Sequence, residues 1–537
     1  MQTTTTPLLI YDTTLRDGAQ SEDVSFSVAD KLRITERLDD LGIDVIEGGW
    51  PGSNPKDVEY FLQVRHLRLK NARIAAFGST RRADTTVATD PVLQSLLRAE
   101  TSVVTIFGKS WNLHVRKALE ISLEANLELI HESVSYLKRH VDTVYYDAEH
   151  FFDGFKADGA YALRTLQAAR DGGADCLVLC DTNGGTSLHE IPVIIAQAAT
   201  LGTPLGIHCH NDGGLAAANT LLAVQAGVVH VQGTINGLGE RCGNADLTTV
   251  IPNLALKMRR PLRMQSAQVQ SLTTISRFVN EMANRSSQKN QPFVGASAFA
   301  HKGGIHVSAI LKDALTYEHI TPESVGNRQR VLVSEQAGRS NLFYKLKKFG
   351  IDDLDQNDPR ILQLLSDIKE LEHKGYQFDG AEASFELRAR RALGQIPDYF
   401  TLQGFRVIDE RREEADGNIS DASVKVSVGG HVEHTAAEGR GPVNALDTAL
   451  RKALTRFYAN LREVTLSDFK VRIISDGGTA AQVRVQIESR DQTDRWGTVG
   501  TSENIIAAAY QALVDAVVYK LYKDHTPALN GKNPGEV

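Results

Sequence analysis

From residue 1 to about 265 the chain repeats one pattern: a short β-rich apolar run ending in polar residues or glycine, then a longer stretch with apolar positions at helical spacing. The runs are 8–12 (LLIYD), 43–47 (IDVIE), 73–77 (RIAAF), 102–106 (SVVTI), 141–146 (VDTVYY), 176–180 (CLVLC), 205–209 (LGIHC) and 229–235 (VHVQGTI). Their separation, roughly 25–40 residues, is that of successive βα units. Eight such units predict an α/β fold closed into a (β/α)8 TIM barrel over residues 1–265. An open doubly wound sheet would use the same elements, but no GxGxxG follows the first run, which removes the commonest reason to choose it.

Beyond the barrel the pattern changes twice. Residues 266–400 read as a charged helical linker subdomain, interrupted by the glycine-rich GASAFAHKGGIHVSAI (295–310) and a turn at DDLDQNDPR (352–360). Residues 401–525 carry an internal duplication. Val424-Lys-Val-Ser-Val428 precedes Gly439, Gly441 and a helix ending in Ala453-Leu454. A shift of 59 residues gives Val483-Arg-Val-Gln-Ile487, Gly500 and a helix carrying Ala512-Leu513. Two alternating strand-plus-helix units predict a C-terminal α+β domain with a duplicated ββα-like unit. Residues 526–537 read as a disordered tail.

Composition narrows the function classes. Among 537 residues, Lys and Arg number 59 and Asp and Glu 66, a net charge of −7. That balance argues against a protein that tracks nucleic-acid phosphates. No run of about 18 apolar residues reads as a membrane span, and MQTTTTPLLIYD has no basic n-region, so a cytoplasmic protein is expected. Four cysteines in so long a chain do not make a disulfide framework.

Active sites of such barrels lie at the carboxyl ends of the strands, so the polar residues there are the candidates. Arg16 and Asp17 follow the first strand, His208 and His210 end the seventh, and Asn244 sits in GLGERCGNA after the eighth. Strand alternation puts both histidines on one face, and barrel closure brings strand eight beside strand one. Asp17, His208, His210 and Asn244 then suit a divalent ion: Mn²⁺, Co²⁺, Zn²⁺ or Mg²⁺. Asp147, Glu149 and His150 end the fifth strand, and Asp181 and Thr182 the sixth; each group alone reads equally well as helix-capping chemistry. Beside a metal, a carboxylate there becomes a candidate general base. Cys209, turned away from the two histidines, and Cys242 read as packing residues.

At TTLRDGAQ, HCHND and INGLGERCGNA the sequence resembles the metal-dependent acyltransferases that include 2-isopropylmalate, homocitrate and citramalate synthases. The likeness continues through GGIH into the duplicated C-terminal unit. EGGWPGSNPKD (47–57) and YDAEHFFDGFK (146–156) are most similar to the citramalate synthase branch. The resemblance implies condensation of acetyl-CoA with pyruvate, or with 2-oxoisovalerate as the alternative acceptor. It implies Asp17, His208, His210 and Asn244 as metal ligands and Arg16 as the catalytic arginine that also binds substrate. Thr182 is implied as the carboxylate-binding residue and Glu149 as the base that takes the α-proton. His306 and Tyr317 are implied as a catalytic pair contributed by the partner subunit of a homodimer. The duplicated domain is implied to bind an amino-acid effector, isoleucine or else leucine. A carbon–carbon lyase of the hydroxymethylglutaryl-CoA type would match the barrel alone. A paired-histidine hydrolase usually carries HxH on its first strand, and a non-catalytic effector-binding dimer would not need the barrel-mouth residues.

Overall fold

The computed structural model describes residues 7–331, 339–351, 358–378, 380–411, 418–475, 478 and 481–529. Eight strands form in the expected order: β1 (Leu9–Asp12), β2 (Val45–Gly49), β3 (Arg73–Ser79), β4 (Val103–Lys109), β5 (Thr143–Glu149), β6 (Cys176–Asp181), β7 (Leu205–Cys209) and β8 (His230–Gly233). They close into one parallel barrel, β8 returning to β1 from Leu9↔His230 to Asp12↔Gly233. Alternation sorts the side chains. Ile10, Ile46, Ala76, Val104, Val144 and Leu177 join the large core under the outer helices. Tyr11, Val45, Ala75, Val103, Tyr145, Cys176 and Val178 point inward and fill the barrel. His230 lies in that filling, 5.2 Å from the Tyr11 ring and 4.8 Å from that of Tyr145.

Local chemistry sets the connections. The first helix, Val28–Leu41, starts in a capping box between Ser27 and Asp30 and stops at Gly42, whose φ of 86° is left-handed. Chain clustering gives two compact units, Met1–Phe299 with Glu318–Gln329, and Ala300–Tyr317 with Arg330–Val537. In the first, Asn327 Nδ2 donates to the carbonyls of Phe293 and Gly295, at 2.8 and 2.9 Å, and so ties residues 318–329 to the barrel unit.

In the second unit, β9 (Ala300–His301) pairs with β10 (Arg330–Val331), and helices Arg339–Lys348, Pro359–His373 and Glu382–Ala392 share an apolar cluster. Most of the turn expected at 352–360, and the tail from 530 onward, lie outside the described residues. The C-terminal sheets are β11 (Thr401–Arg411), β12 (Asn418–Val428) and β13 (His431–Gly439), then β14 (Thr465–Ile473), β15 (Val483–Arg490) and β16 (Arg495–Ser502). Each is a three-stranded antiparallel sheet followed by a helix, Pro442–Leu454 or Ile505–Lys523. Each repeat thus carries one strand more than a ββα unit; β14 is largely exposed, so no core-facing alternation announces it.

The repeat is offset by 63 positions, not 59. Thr435 Oγ1 donates to the Ala449 carbonyl and Thr498 Oγ1 to that of Ala512, both at 2.8 Å. Val424 pairs with Thr435 as Ile487 pairs with Thr498. A slip of four keeps every strand residue on its face and is nearly one helical turn, so hydrophobic pattern cannot detect it. The helix Ile505–Lys523 is long and apolar enough to cross a membrane by length and composition. Its apolar residues lie in the C-terminal core, and its Lys520 pairs with Glu463, Asp491 and Asp524 at 2.8–3.0 Å.

Candidate active site

The site is built on the turn after β1. Thr14 is held by Asp12 through its backbone N–H and hydroxyl, both at 2.9 Å, and its Oγ1 accepts the backbone N–H of Ile235 just past β8. That fixes the following Arg16 and Asp17 at the barrel mouth. Asp17 Oδ2 lies 3.3 Å from His208 Nε2 and 3.8 Å from His210 Nε2. All three residues are buried, and their donor atoms fall within 4.8 Å of one another.

The loop after β8 offers a fourth candidate donor. His210 and Asn244 form an antiparallel bridge, flanked by Asn211 N–H to Gly243 O at 2.8 Å and Ala245 N–H to Cys209 O at 2.9 Å. Directly opposed residues in such a bridge project to the same side. Asn244 Nδ2 donates to the Leu238 carbonyl at 3.1 Å, and its Oδ1 is buried without a partner among the described residues. Gly243 (φ 86°) makes the turn: a Cβ there would sit 2.0 Å from the Gly237 carbonyl oxygen. Cys242 beside it is exposed, so its expected packing role is corrected: the turn that fixes Asn244 inward leaves its neighbour facing out. Cys209 is buried, as expected.

A carboxylate, two imidazole Nε2 atoms and an orphaned amide oxygen form a donor set that fits a divalent cation. Asp147 and Gln232 prepare it. Gln232 Nε2 donates to Asp147 Oδ1 at 3.1 Å, so its Oε1 accepts from His208 Nδ1 at 2.9 Å and leaves Nε2 turned toward Asp17. Burial raises the Asp17 carboxyl, but Arg16 and then His208 and His210 outweigh it and hold it well below the usual carboxylate range. Burial, then His208, pushes His210 down to about 3 and keeps it neutral. Burial opposes charge on His208, yet Asp17 raises its pKa above the ordinary value.

Arg16 lies over the Phe77 ring at 3.8 Å, with Nε on Glu47 Oε1 at 2.5 Å and Nη1 3.5 Å from Asp17. Glu47, fully buried on β2, also accepts from Tyr11 Oη and Thr13 Oγ1, each at 2.6 Å. Burial disfavours the Arg16 charge, but Glu47 and Asp17 raise its pKa above the ordinary arginine value.

A cavity of about 240 Å³ opens over these groups, lined by Arg16, Asp17, His208, His210, Asp147, Glu149 and Thr182, with Trp50, Phe77 and Phe107 as an aromatic wall. Phe77 and Phe107 stack with centroids 5.5 Å apart, and Trp50 meets both edge-on. Glu149 ends β5 in an ion pair with Lys109. Thr182 Oγ1 accepts the backbone N–H of His150 at 2.9 Å. Asp181 instead accepts from the Thr186 hydroxyl at 2.7 Å and is a turn-forming residue. Arg241 binds Asp212 with two bonds, at 2.8 and 3.0 Å, and donates to the Thr182 carbonyl at 2.6 Å, tying the metal loop to the ends of β6 and β7.

His306 and Tyr317 belong to the second compact unit. Their rings stack with centroids 4.2 Å apart, among the exposed apolar side chains of Ile305, Leu311 and Leu315. Sequence reasoning missed Glu47, Gln232, Lys109 and the aromatic wall. The available signal was a charged or amide residue inside an otherwise apolar barrel strand, as in VIEGG and HVQG.

Known proteins resemble the chain over nearly its whole length. Family models match residues 8–279 (HMGL-like), 293–376 (homocitrate synthase post-HMGL domain-like) and 379–521 (LeuA allosteric (dimerisation) domain). The chain is 58% identical to an (R)-citramalate synthase of Geobacter sulfurreducens, over 96% of this chain and 97% of that protein. It is 55% identical to the (R)-citramalate synthase of Aquifex aeolicus, over 96% and 98%. A probable 2-isopropylmalate synthase of Methanopyrus kandleri is 33% identical, over 95% and 97%.

Proposed function

The chain belongs to the (R)-citramalate synthase family of HMGL-like acyltransferases, and from that membership we propose that it condenses acetyl-CoA and pyruvate, with water, to (R)-citramalate and CoA. The observation that carries the reading is the convergence of Asp17, His208 and His210, with Arg16 and Glu149, around one cavity at the barrel mouth. The metal would be held by Asp17, His208, His210 and Asn244, where it supplies Lewis-acid polarisation of a 2-oxoacid carbonyl.

The chain's own residues do the rest. Thr182 binds the 2-oxoacid carboxylate. Arg16, held by Glu47 and Asp17, donates to the keto oxygen and stabilises the alkoxide that develops there. Glu149 takes a proton from the acetyl methyl group, whose carbon then attacks the keto carbon, and hydrolysis of the thioester releases CoA. His306 and Tyr317 of a partner subunit complete the site; the exposed apolar surface around them supports a docking role.

The stacked Phe77 and Phe107, with Trp50, support a small acceptor. They wall the same cavity as Arg16 and Thr182, and in a hydrophobic pocket each added carbon shifts preference by about 1–3 kcal/mol. Coenzyme A release by metal-reconstituted protein against a panel of 2-oxoacids tests the assignment. Pyruvate should be the best substrate, and a preference for 2-oxoisovalerate would make the enzyme a 2-isopropylmalate synthase. We further assign isoleucine as the effector of residues 401–525, with leucine the outcome if the acceptor is the larger one, and the cytoplasm as the place of action.

A further inference from the structure

Glu149 has a cationic neighbour that the proposed reaction leaves without a role. Lys109, the last residue of β4, is in register with Glu149, the last residue of β5, so both side chains leave the barrel on the same face. Lys109 Nζ donates to Glu149 Oε2 in a short charge-assisted bond, and the two side chains are only 21% and 24% exposed. The ammonium also lies 5.4 Å from the centre of Phe107, a wall of the same cavity. The cations that line the cavity are committed elsewhere, Arg16 to Glu47 and Asp17 and Arg241 to Asp212, whereas Lys109 adjoins the cavity through Glu149 and Phe107. Both arginines face the metal donors, where the acceptor's charge develops.

The donor half of the reaction develops charge of its own. When Glu149 removes the α-proton, the C–H electron pair becomes a carbon–carbon double bond and the thioester carbonyl pair moves onto oxygen. That oxygen is two bonds from the carbon being deprotonated, and the reacting atoms must approach to about 3–3.5 Å. Negative charge therefore leaves the carboxylate and reappears within reach of the group that was neutralising it. We infer that Lys109 is a catalytic residue: its ammonium pairs with the Glu149 carboxylate at rest and turns to the enolate oxygen as Glu149 takes the proton. The ammonium keeps all its protons throughout. Glu149 becomes a neutral acid, the thioester becomes its enolate, and Lys109 remains the counter-charge on both sides of the step. This rests on Glu149 being the base.

The test follows exchange of the acetyl-CoA methyl protons with D2O, in Mn²⁺-loaded protein holding oxamate, an acceptor analogue that cannot condense. Wild type should exchange. Lys109→Gln should exchange roughly 10²-fold or more slowly, the loss expected for one oxyanion donor, while calorimetry shows oxamate binding unchanged. Lys109→Arg should recover a substantial part of the rate. Full exchange by Lys109→Gln with none by Glu149→Gln overturns the role of Lys109 and leaves the base assignment standing. Full exchange by Glu149→Gln removes the base, and this inference with it. If wild-type exchange is too slow to follow, condensation of pyruvate with methyl-deuterated acetyl-CoA provides the readout. Lys109→Gln should then show a larger isotope effect on kcat/KM than wild type, and an unchanged one overturns the inference.

Discussion

Arg16, the proposed catalytic arginine, shows how much of such a side chain lies in its supports. Its guanidinium is fixed by Glu47, Asp17 and the face of Phe77, so charge is aimed before substrate arrives. Arg16→Ala should lower kcat by roughly 10²-fold or more with the fold intact, read from steady-state kinetics and circular dichroism. Gln232→Leu removes the acceptor that fixes the His208 ring and should weaken Mn²⁺ binding by about 10–100-fold, measured by calorimetry. The proposed ligands were visible as Asp after the first strand and HxH at the seventh, because residue type and strand end are sequence properties. Glu47 and Gln232 were not: their importance comes from which neighbouring strand they face, and only barrel closure decides that. His230 carries the clearest pH signature. Burial, then Arg73 and His208, pushes it down to about 3, and its ring nitrogens have no partner among the described residues. The unfolded chain therefore binds a proton between about pH 6.5 and 3 that the native state refuses, and stability falls as pH falls through that window. His230→Phe should flatten the decline of Tm with decreasing pH.

At the scale of elements, all eight barrel strands were legible, since apolar runs bounded by polar ends recur at βα spacing. The C-terminal duplication was legible as a repeat but not in register. Period-two strands and helices of 3.6 residues per turn both tolerate a slip of four, and only the hydrogen bonds distinguish offsets. Those bonds make an element-level prediction. Thr435→Val and Thr498→Val remove equivalent hydroxyl-to-helix bonds, so each should cost about 1 kcal/mol in denaturant unfolding. Markedly unequal costs would mean that the two positions are not equivalent. β11 and β14 bulge at equivalent points, between Leu402 and Gly404 and between Leu466 and Asp468, and Phe405 pairs with Val424 as Phe469 pairs with Ile487, so these first strands are offset by 64, one position more than the rest of the repeat.

At the scale of the whole molecule, the partner-subunit role proposed for His306 makes subunit exchange a direct assay. If His306 acts on a partner's barrel, mixing inactive Glu149→Gln with inactive His306→Ala should restore activity at about one site in four, since half the dimers are mixed and each holds one complete site. No recovery after verified exchange would place the pair in its own barrel. Deleting residues from about 400 onward should abolish inhibition by isoleucine, and inhibition that survives in the truncated chain would locate the effector elsewhere. Asp17 and His208 lie at opposite ends of the barrel sequence and touch only because β8 returns to β1. A chain still emerging from the ribosome therefore has no complete nest for the ion until nearly the whole first half has been synthesised and joined end to end. An ion can therefore meet the full donor set only from that stage of translation onward, and ions encountered earlier find no more than part of it.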